Sequence, residues 1–340
     1  MIDRRACLQS LTACAVVPSL FSGGASAYAR SAVDAGGVQL IVPFPAGGSS
    51  AILSKHVANA YKRHTKQAMR LNYLSGGAGL LAASMAAKSA ANGQTLLMGG
   101  SHLSTAHALL PDEGLDFVED LRPLALVARI PQVLMIHPLR IRARTMAEWL
   151  AEMSRRPARY RMAAAGAGSS SHIYAQLLKQ NKGLAYEFVH FRGAGPALQD
   201  LLSGTADMMM DGLIAGLPHL RSGKLKALMV TGKERSAVLP DVPCAHELGL
   251  EVLDTVTWYG VFAPAKLPDR TAASLMRVLQ QLGQDEALMA TFQGLGIRWG
   301  DLYGEDFAHM VMQETTQWAQ TLKINGMTQL MLKNPVESLM

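Results

Sequence analysis

Short apolar runs that end in turns rich in Gly, Ser and Pro, each followed by an amphipathic segment, recur along most of this 340-residue chain. Apolar runs bounded by such turns are typical of buried strands, and the segments after them carry helix-capping residues. Because strands and helices alternate, the pattern predicts an α/β protein. A second series, starting near residue 145, repeats the logic of the first, so two α/β units are expected.

The first of these turns reads PFPAGGSS, residues 43–50, and follows the apolar run at residues 40–42. A helix is predicted directly after it, which places several backbone N–H groups and two hydroxyls at a helix N-terminus. Such an N-terminus is an anion-binding arrangement, because its N–H groups are free and its dipole is positive. Any strand-to-helix turn needs similar residues to turn and cap, so this turn alone fits a structural role equally well.

Two turns in the second series repeat the arrangement. GAGSSSH, residues 166–172, leads into a helix predicted from about His172, and GAGP, residues 193–196, places a proline in the first turn of the next helix. Glycines permit tight backbone there, and serines can cap the helix or donate to a ligand. Three such turns in two α/β units indicate a ligand held between two lobes by converging helix N-termini.

The first thirty residues differ from the rest. Arg4 and Arg5 precede an apolar segment at residues 11–21 and a small-residue cleavage pattern that ends at Ala29. These features predict a signal peptide over residues 1–29, exported by the Sec or the twin-arginine route, and a periplasmic mature protein. No later stretch approaches the roughly 18 consecutive apolar residues that would span a membrane.

Composition and motifs exclude several functions. The basic residues form short patches and only 6% of the chain is aromatic, which argues against a nucleic-acid partner. Zinc-ligand spacing, a convincing dinucleotide or phosphate loop and a nucleophile elbow are all missing from the sequence, so no metal and no cofactor are expected. Without the signal peptide only Cys244 remains, so no intrachain disulfide is expected.

Nine stretches, in order, resemble the substrate-binding proteins of tripartite tricarboxylate transporters, also called the Bug family. They are IVPFPAGGSS, GGAGLLAA, NGQTLLMGG, LDFVEDLRPLALVA, AAGAGSSSHIYAQLL, FRGAGPALQDLLSGTADMMMDGL, SGKLKALMVTGKERSAVLPDVP, ELGL and WYGVFAPAKLP. The resemblance covers about residues 37–326. Each motif alone is soft, but nine in one order are specific.

The resemblance implies an α/β, two-lobed fold of the type II periplasmic binding proteins, with a mixed sheet flanked by helices in each lobe and a ligand cleft between them. Lobe 1 is expected to comprise residues 30–132 and 255–326, and lobe 2 residues 133–254, with a C-terminal tail at 327–340. The implied function is capture of a small carboxylate and its delivery to the permease subunits of the transporter. A monomer without catalytic activity is expected.

The family binds its ligand largely through main-chain N–H groups, hydroxyls and waters of the loops that match residues 44–50 and 166–172. A second end of the ligand would be read by the other lobe. For His172 and Asp211, packing, capping and surface roles remain open. The candidate ligand-binding residues are Phe44, Ala46, Gly47, Gly48, Ser49, Ser50, Ser101, Gly166, Gly168, Ser169, Ser170, Ser171, His172, Gly193, Ala194 and Asp211.

The chain departs from the family pattern at three places, one of which is the second loop, where residues 72–81 read NYLSGGAGLL and the family has an Asn-rich form. Ala51 stands where an acidic residue often opens the helix, and residues 190–193 read HFRG where the family usually has Pro-Tyr-Lys-Gly. The ligand's identity, including whether it carries an amine, therefore stays open. One alternative function is a sensor subunit for a membrane two-component kinase. The other is a serine hydrolase using Ser170 or Ser171 with His172, against which the missing acid partner argues.

Overall fold

The structure is a computed structural model that describes residues 37–109, 115–157 and 159–327. The predicted signal peptide and the tail after Met327 lie outside these residues. In the described part of the chain, no helix has the length and apolar character needed to cross a membrane.

Strands and helices alternate along much of the described chain, as the sequence pattern predicts, and its last three elements are helices. The strands are β1 (Val38–Val42), β2 (Met69–Tyr73), β3 (Thr95–Gly100), β4 (Leu121–Ile130), β5 (Gln132–Ile136), β6 (Arg161–Ala164), β7 (Glu187–His190), β8 (Met208–Gly212), β9 (Lys226–Val230) and β10 (Thr257–Pro264). The helices are α1 (Ser49–Thr65), α2 (Leu80–Ala87), α3 (Ser101–Leu109), α4 (Phe117–Asp120), α5 (Met146–Arg155), α6 (Ser170–Asn181), α7 (Ala194–Leu202), α8 (Leu213–Arg221), α9 (Asp269–Leu282), α10 (Glu286–Leu295) and α11 (Gly304–Ile324).

The described strands form two five-stranded mixed sheets with matching topology. The first has the order β2-β1-β3-β10-β4, in which β1 is parallel to β2 and β3 while β10 is antiparallel to both of its neighbours. The second has the order β7-β6-β8-β5-β9, in which β6 is parallel to β7 and β8 while β5 is antiparallel to both of its neighbours. The prediction of a two-lobed α/β fold with a mixed sheet in each lobe is confirmed.

Both sheets are covered on their two faces, which explains their continuous apolar runs. Successive strand residues point to opposite faces. On β1, Leu40 packs into one hydrophobic cluster and Ile41 into another. On β8, Met209 packs into the same cluster as Leu40, and Met210 into a third. The cluster shared by Leu40 and Met209 joins the two lobes.

The last helix, α11, packs against both lobes. Phe307, near its start, belongs to a cluster with Trp258 and Phe262 of the first sheet. Trp318 and Leu322, near its end, belong to the cluster that covers β5, β6 and β8 of the second sheet. The chain therefore crosses between the lobes at residue 131, between β9 and β10, and again through this helix.

Candidate functional site

A cavity of about 40 Å³ lies between the two sheets and is called the inner cavity below. Residues of both lobes line it: Phe44, Gly48, Ser49, Ser50, His102, Gln132, Ala165, Ser169, Ser170, Ser171, Ala194, Asp211 and Tyr259. A wider cavity of about 450 Å³, the outer cavity, shares Phe44, Ala165 and Ser169 with it. The shared lining places the two cavities side by side in the cleft between the lobes.

Helices of both lobes begin at the inner cavity. Gly48 precedes α1 and gives it no side-chain cap, while Gly193 precedes α7 with a φ of 121° that favours glycine. Ser169 caps α6 by accepting a hydrogen bond from His172 N at 3.3 Å. The first N–H groups of a helix have no partner within it, and the helix dipole is positive at this end. The inner cavity is therefore suited to an anion.

The lobes are in contact around the inner cavity. Ser49 Oγ, of the first lobe, donates a hydrogen bond of 3.0 Å to Gly212 O, at the end of β8 in the second. Beside it, the loop of residues 43–48 lies against the start of α7. A Cβ atom on Gly195 would lie 2.8 Å from Ala46 O, and one on Gly193 would lie 2.6 Å from Pro45 Cδ. These distances describe a closed cleft that a single added methyl group would disturb.

Three buried side chains of the lining have a polar atom without a hydrogen-bond partner among the described residues. They are His102 (Nε2), Gln132 (Oε1) and Asp211 (Oδ2), which are 2%, 2% and 7% exposed. Gln132 is held in place because its Nε2 donates to Thr257 Oγ1 at 2.7 Å. Buried polar groups are nearly always satisfied, so these three atoms are available to a polar molecule that enters the cavity.

Burial also determines the charge of these groups. It lowers the pKa of His102 to about 3, so this imidazole is neutral near pH 7. It raises the pKa of Asp211 to about 7, and the Gly212 N–H opposes this shift. No Lys or Arg is among the described residues that line the inner cavity. Among the lining residues, the groups that can attract an anion are therefore the N–H groups of the helix N-termini.

The structure brings most of the sequence-predicted residues to the cleft. Lining the inner cavity are Phe44, Gly48, Ser49, Ser50, Ser169, Ser170, Ser171, Ala194 and Asp211, and lining the outer cavity are Gly166 and Gly193. Ala46 and Gly47 are exposed in the loop that contacts α7. Ser101 is buried beside the cavity, where its Oγ accepts from Trp258 N at 3.0 Å. Gly168 and His172 also lie outside the lining.

The environment of His172 is that of a packed side chain. Its ring meets the rings of Phe188 and His190 edge-on, with centroids 4.7 and 4.8 Å away, and its Nδ1 accepts from Gly168 N at 3.2 Å. Burial, with smaller contributions from His190 and Lys179, lowers the pKa of His172 to about 3. Among the described residues, neither Ser170 nor Ser171 is hydrogen-bonded to this ring. The Ser–His pair of the hydrolase alternative is therefore not formed.

Sequence reasoning missed four residues that complete the inner cavity: Ala165, next to the predicted turn at residues 166–172, and the polar residues His102, Gln132 and Tyr259. His102 follows a strand-to-helix turn, LMGGS, of the same type as the three that were singled out, so a local signal existed. Gln132 and Tyr259 lie within or at the start of strands and carry no such signal. The structure places them in the site because β5 and β10 occupy equivalent positions in the two sheets.

Sequence comparisons agree with this architecture. The profile of the tripartite tricarboxylate transporter family receptor matches residues 53–326. Protein BugT of Bordetella pertussis is 29% identical, with the alignment covering 85% of this chain and 89% of that protein. A UPF0065 protein from the tcbD-tcbE intergenic region of Pseudomonas sp. is 27% identical over 83% of this chain and 84% of that protein.

Several solved structures of binding proteins are similar to this one over most of the chain. An R. palustris protein with adipate has a TM-score of 0.81 and 27% identity, covering 85% of this chain and 97% of that one. MatC from Rhodopseudomonas palustris with bound malate has a TM-score of 0.79 and 28% identity, with coverage of 84% and 98%. The periplasmic binding protein BugD has a TM-score of 0.82 and 25% identity, with coverage of 86% and 98%.

Proposed function

Because the chain belongs to the tripartite tricarboxylate transporter receptor family, we propose that its inner cavity captures one carboxylate group of a small organic anion. The match to the family profile and to protein BugT confirms the resemblance that the sequence motifs indicated. The chain is therefore a carboxylate-binding receptor of such a transporter. Its proposed partners are the permease subunits of the transporter. The proposed location is the periplasm, reached through the signal peptide at residues 1–29.

One observation carries the proposal: helices of opposite lobes begin at the same small cavity. Ser49 and Ser50 open α1 from the first lobe, and Ser170 and Ser171 open α6 from the second. Their N–H groups, and the hydroxyls other than that of Ser49, which already donates to Gly212 O, can surround a carboxylate. Hydrogen bonds to an ionised acceptor are about twice as strong as neutral ones. A carboxylate can be held in this way without a buried arginine.

The outer cavity would take the rest of the ligand. Its volume of about 450 Å³ suits a small metabolite, and the cationic side chain among its described lining residues is Arg192. A second carboxylate directed toward Arg192 would be attracted by its charge. The neighbours solved with adipate and with malate hold dicarboxylates, which supports the same ligand class here.

A thermal-shift screen of the protein without its first 29 residues tests this function. Monocarboxylates, dicarboxylates, tricarboxylates, aromatic acids and amino acids would be compared. Dicarboxylates of the size of malate to adipate should give the largest shifts, and a ligand at about 100 times its Kd should stabilise by about 2.7 kcal/mol. Folded protein, freed of copurified ligand, that responds to no carboxylate would contradict the proposal.

A further inference from the structure

Asp211 is the acidic side chain of the inner cavity, and its charge opposes that of the proposed ligand. It lies on β8, is 7% exposed, and its Oδ2 has no hydrogen-bond partner among the described residues. The cavity that it shares with the helix N-termini has a volume of only about 40 Å³. A ligand carboxylate in this space would lie close to Asp211.

The groups that face Asp211 cannot compensate a second negative charge. From α3 comes His102, which is neutral near pH 7 because burial lowers its pKa to about 3. From β10 comes Tyr259, whose pKa is raised by burial and by the charges of Asp211 and Tyr174. From β5 comes the uncharged amide of Gln132, and Tyr174, on α6, is a titratable neighbour of Tyr259. Adjacent β6 and α7 add only Ala165 and Ala194 to the lining.

Two carboxylates that share a small buried site do not both stay ionised. Their repulsion in a low dielectric raises one pKa strongly, and the pair then holds one proton between them. Helix N-termini stabilise the ligand carboxylate in particular, because they point at it. The proton is therefore expected on Asp211, whose Oδ2 can then donate a hydrogen bond.

We propose that ligand capture is coupled to protonation of Asp211, so that one proton from the solvent enters the cleft with each carboxylate. This inference rests on the proposed function and extends it, because binding of the carboxylate would be accompanied by uptake of one proton. No covalent bond changes: the ligand stays ionised, and Asp211 passes from carboxylate to carboxylic acid and donates to a ligand oxygen.

The pH dependence of binding follows with a definite sign. Burial raises the pKa of Asp211 to about 7 in the unliganded protein. Below this pH the side chain already carries its proton, so affinity should not change with pH. Above it, binding must first restore the proton, so Kd should rise by about tenfold per pH unit.

Isothermal titration calorimetry of malate and adipate, and of the carboxylate with the largest thermal shift, tests the coupling. Titrations from about pH 6 to about pH 9, where ordinary carboxylates are ionised, would be repeated in buffers of different ionisation enthalpy. We expect a constant Kd below about pH 7, a rising Kd above it, and uptake that approaches one proton per ligand at about pH 9.

These titrations distinguish failure of the proton coupling from failure of the proposed function. Carboxylate binding with a constant Kd and no proton uptake would overturn the coupling and leave the proposed function standing. No binding of any carboxylate at any pH would overturn both. An amino acid that binds more tightly as pH rises, with release of a proton, would show that Asp211 pairs with an ammonium group, and would overturn the coupling.

Two variants assign the proton to a residue. Asp211→Asn keeps the shape and a donor but cannot titrate, so its Kd should not vary with pH and should be up to about 100-fold lower than that of the wild type at about pH 9. Glu314→Gln is the matched control, because Glu314 is a buried carboxyl with a raised pKa of about 8 outside the cavity. It should keep the wild-type pH dependence.

The assignment to Asp211 would be overturned if the Kd of Glu314→Gln did not change with pH while the Kd of Asp211→Asn still rose with pH as in the wild type. The proton uptake of the wild-type protein is measured without any substitution, so the coupling remains testable if Asp211→Asn does not fold.

Discussion

Glu314 is the residue on α11 whose protonation should couple pH to folding. Burial raises the pKa of Glu314 to about 8, although the hydrogen bond from Trp318 opposes the shift. One carboxylate oxygen, Oε1, accepts from Trp318 Nε1 at 3.2 Å, while Oε2 has no partner among the described residues. An ionised Glu314 is therefore disfavoured in the folded protein.

Replacing Glu314 by Gln should remove part of the pH dependence of stability. The folded pKa lies above the unfolded value of 4.5, so the contribution is fully present below that value and is lost as pH rises through about 8. Between these limits the wild-type free energy of unfolding should fall by up to about 1.4 kcal/mol per pH unit from this group. Urea unfolding of wild type and Glu314→Gln at a series of pH values measures the difference.

Glu305→Gln provides the control, because Glu305 lies exposed in the first turn of the same helix. Its unfolding free energy should follow the wild-type pH dependence. If Glu314→Gln shows the wild-type dependence as well, the burial of this carboxyl has no energetic consequence and the prediction is wrong.

At the scale of the element, helix capping and the proposed ligand binding involve the same turn before α6. Ser169→Ala removes the cap hydrogen bond to His172 N and should lower the free energy of unfolding by about 1 kcal/mol. Thr145→Ala removes the equivalent cap of α5, where Thr145 Oγ1 accepts from Glu148 N at 3.2 Å, and should cost about the same. Only Ser169 lines the inner cavity, so only Ser169→Ala should also weaken carboxylate binding.

Chemical denaturation and calorimetric titration of both variants separate the two effects. Wild-type ligand affinity in both variants would mean that the Ser169 hydroxyl is only a cap. A loss of affinity in Thr145→Ala as large as that in Ser169→Ala would mean that general destabilisation, and not contact with the ligand, reduces binding.

The elements themselves were largely predictable. The turn at residues 43–50 leads into α1 at Ser49, as its pattern indicates, and the helix expected from about His172 begins at Ser170. Alternation, capping and Gly-rich turns are local properties, so a sequence records them directly. The pairing of β10 with β3 and β4 is different, because it joins residues more than 120 positions apart and no local pattern specifies it.

At the scale of the molecule, closure depends on the contact of the loop at residues 43–48 with α7. We expect the lobes to separate when no ligand is bound, which would relieve this contact, so Gly195→Ala should leave the unliganded protein at least as stable as the wild type because alanine reduces the entropy of the unfolded chain. Its Cβ would lie 2.8 Å from Ala46 O in the closed cleft, so closure should be obstructed. Ligand affinity should fall by about tenfold or more, a loss of at least about 1.4 kcal/mol.

Gly294→Ala is the matched control, since Gly294 lies on α10 with open space around a Cβ atom. It should gain similar stability and keep wild-type affinity in the same titrations. Unchanged affinity in Gly195→Ala would show that the ligand is held without this closed contact.

The boundaries of the two lobes remain a prediction. We propose residues 30–132 and 255–326 for lobe 1 and residues 133–254 for lobe 2. These boundaries are supported by the order of the strands: the chain passes from the first sheet to the second between β4 and β5, and back to the first between β9 and β10. Because α11 packs on both lobes, a movement of one lobe relative to the other must also change the packing of this helix.

The sequence by itself determined the α/β class and the strand–turn–helix junctions, and it predicts that the turns bind an anion. Each follows from neighbouring residues, since strand, cap and free N–H groups lie within about ten positions of one another. Most of the residues predicted from these turns line the inner or the outer cavity.

Only the tertiary structure decided which turns meet and what charge their neighbours carry. Ser49 and Gly212 are 163 positions apart, yet they close the cleft with one hydrogen bond. Asp211 reads in sequence as any strand-end carboxylate, and it becomes a proton-binding group because β5, α3 and β10 exclude water from it. The desolvation of a carboxyl group depends on all the residues that surround it in space, so it cannot be predicted from its neighbours along the chain.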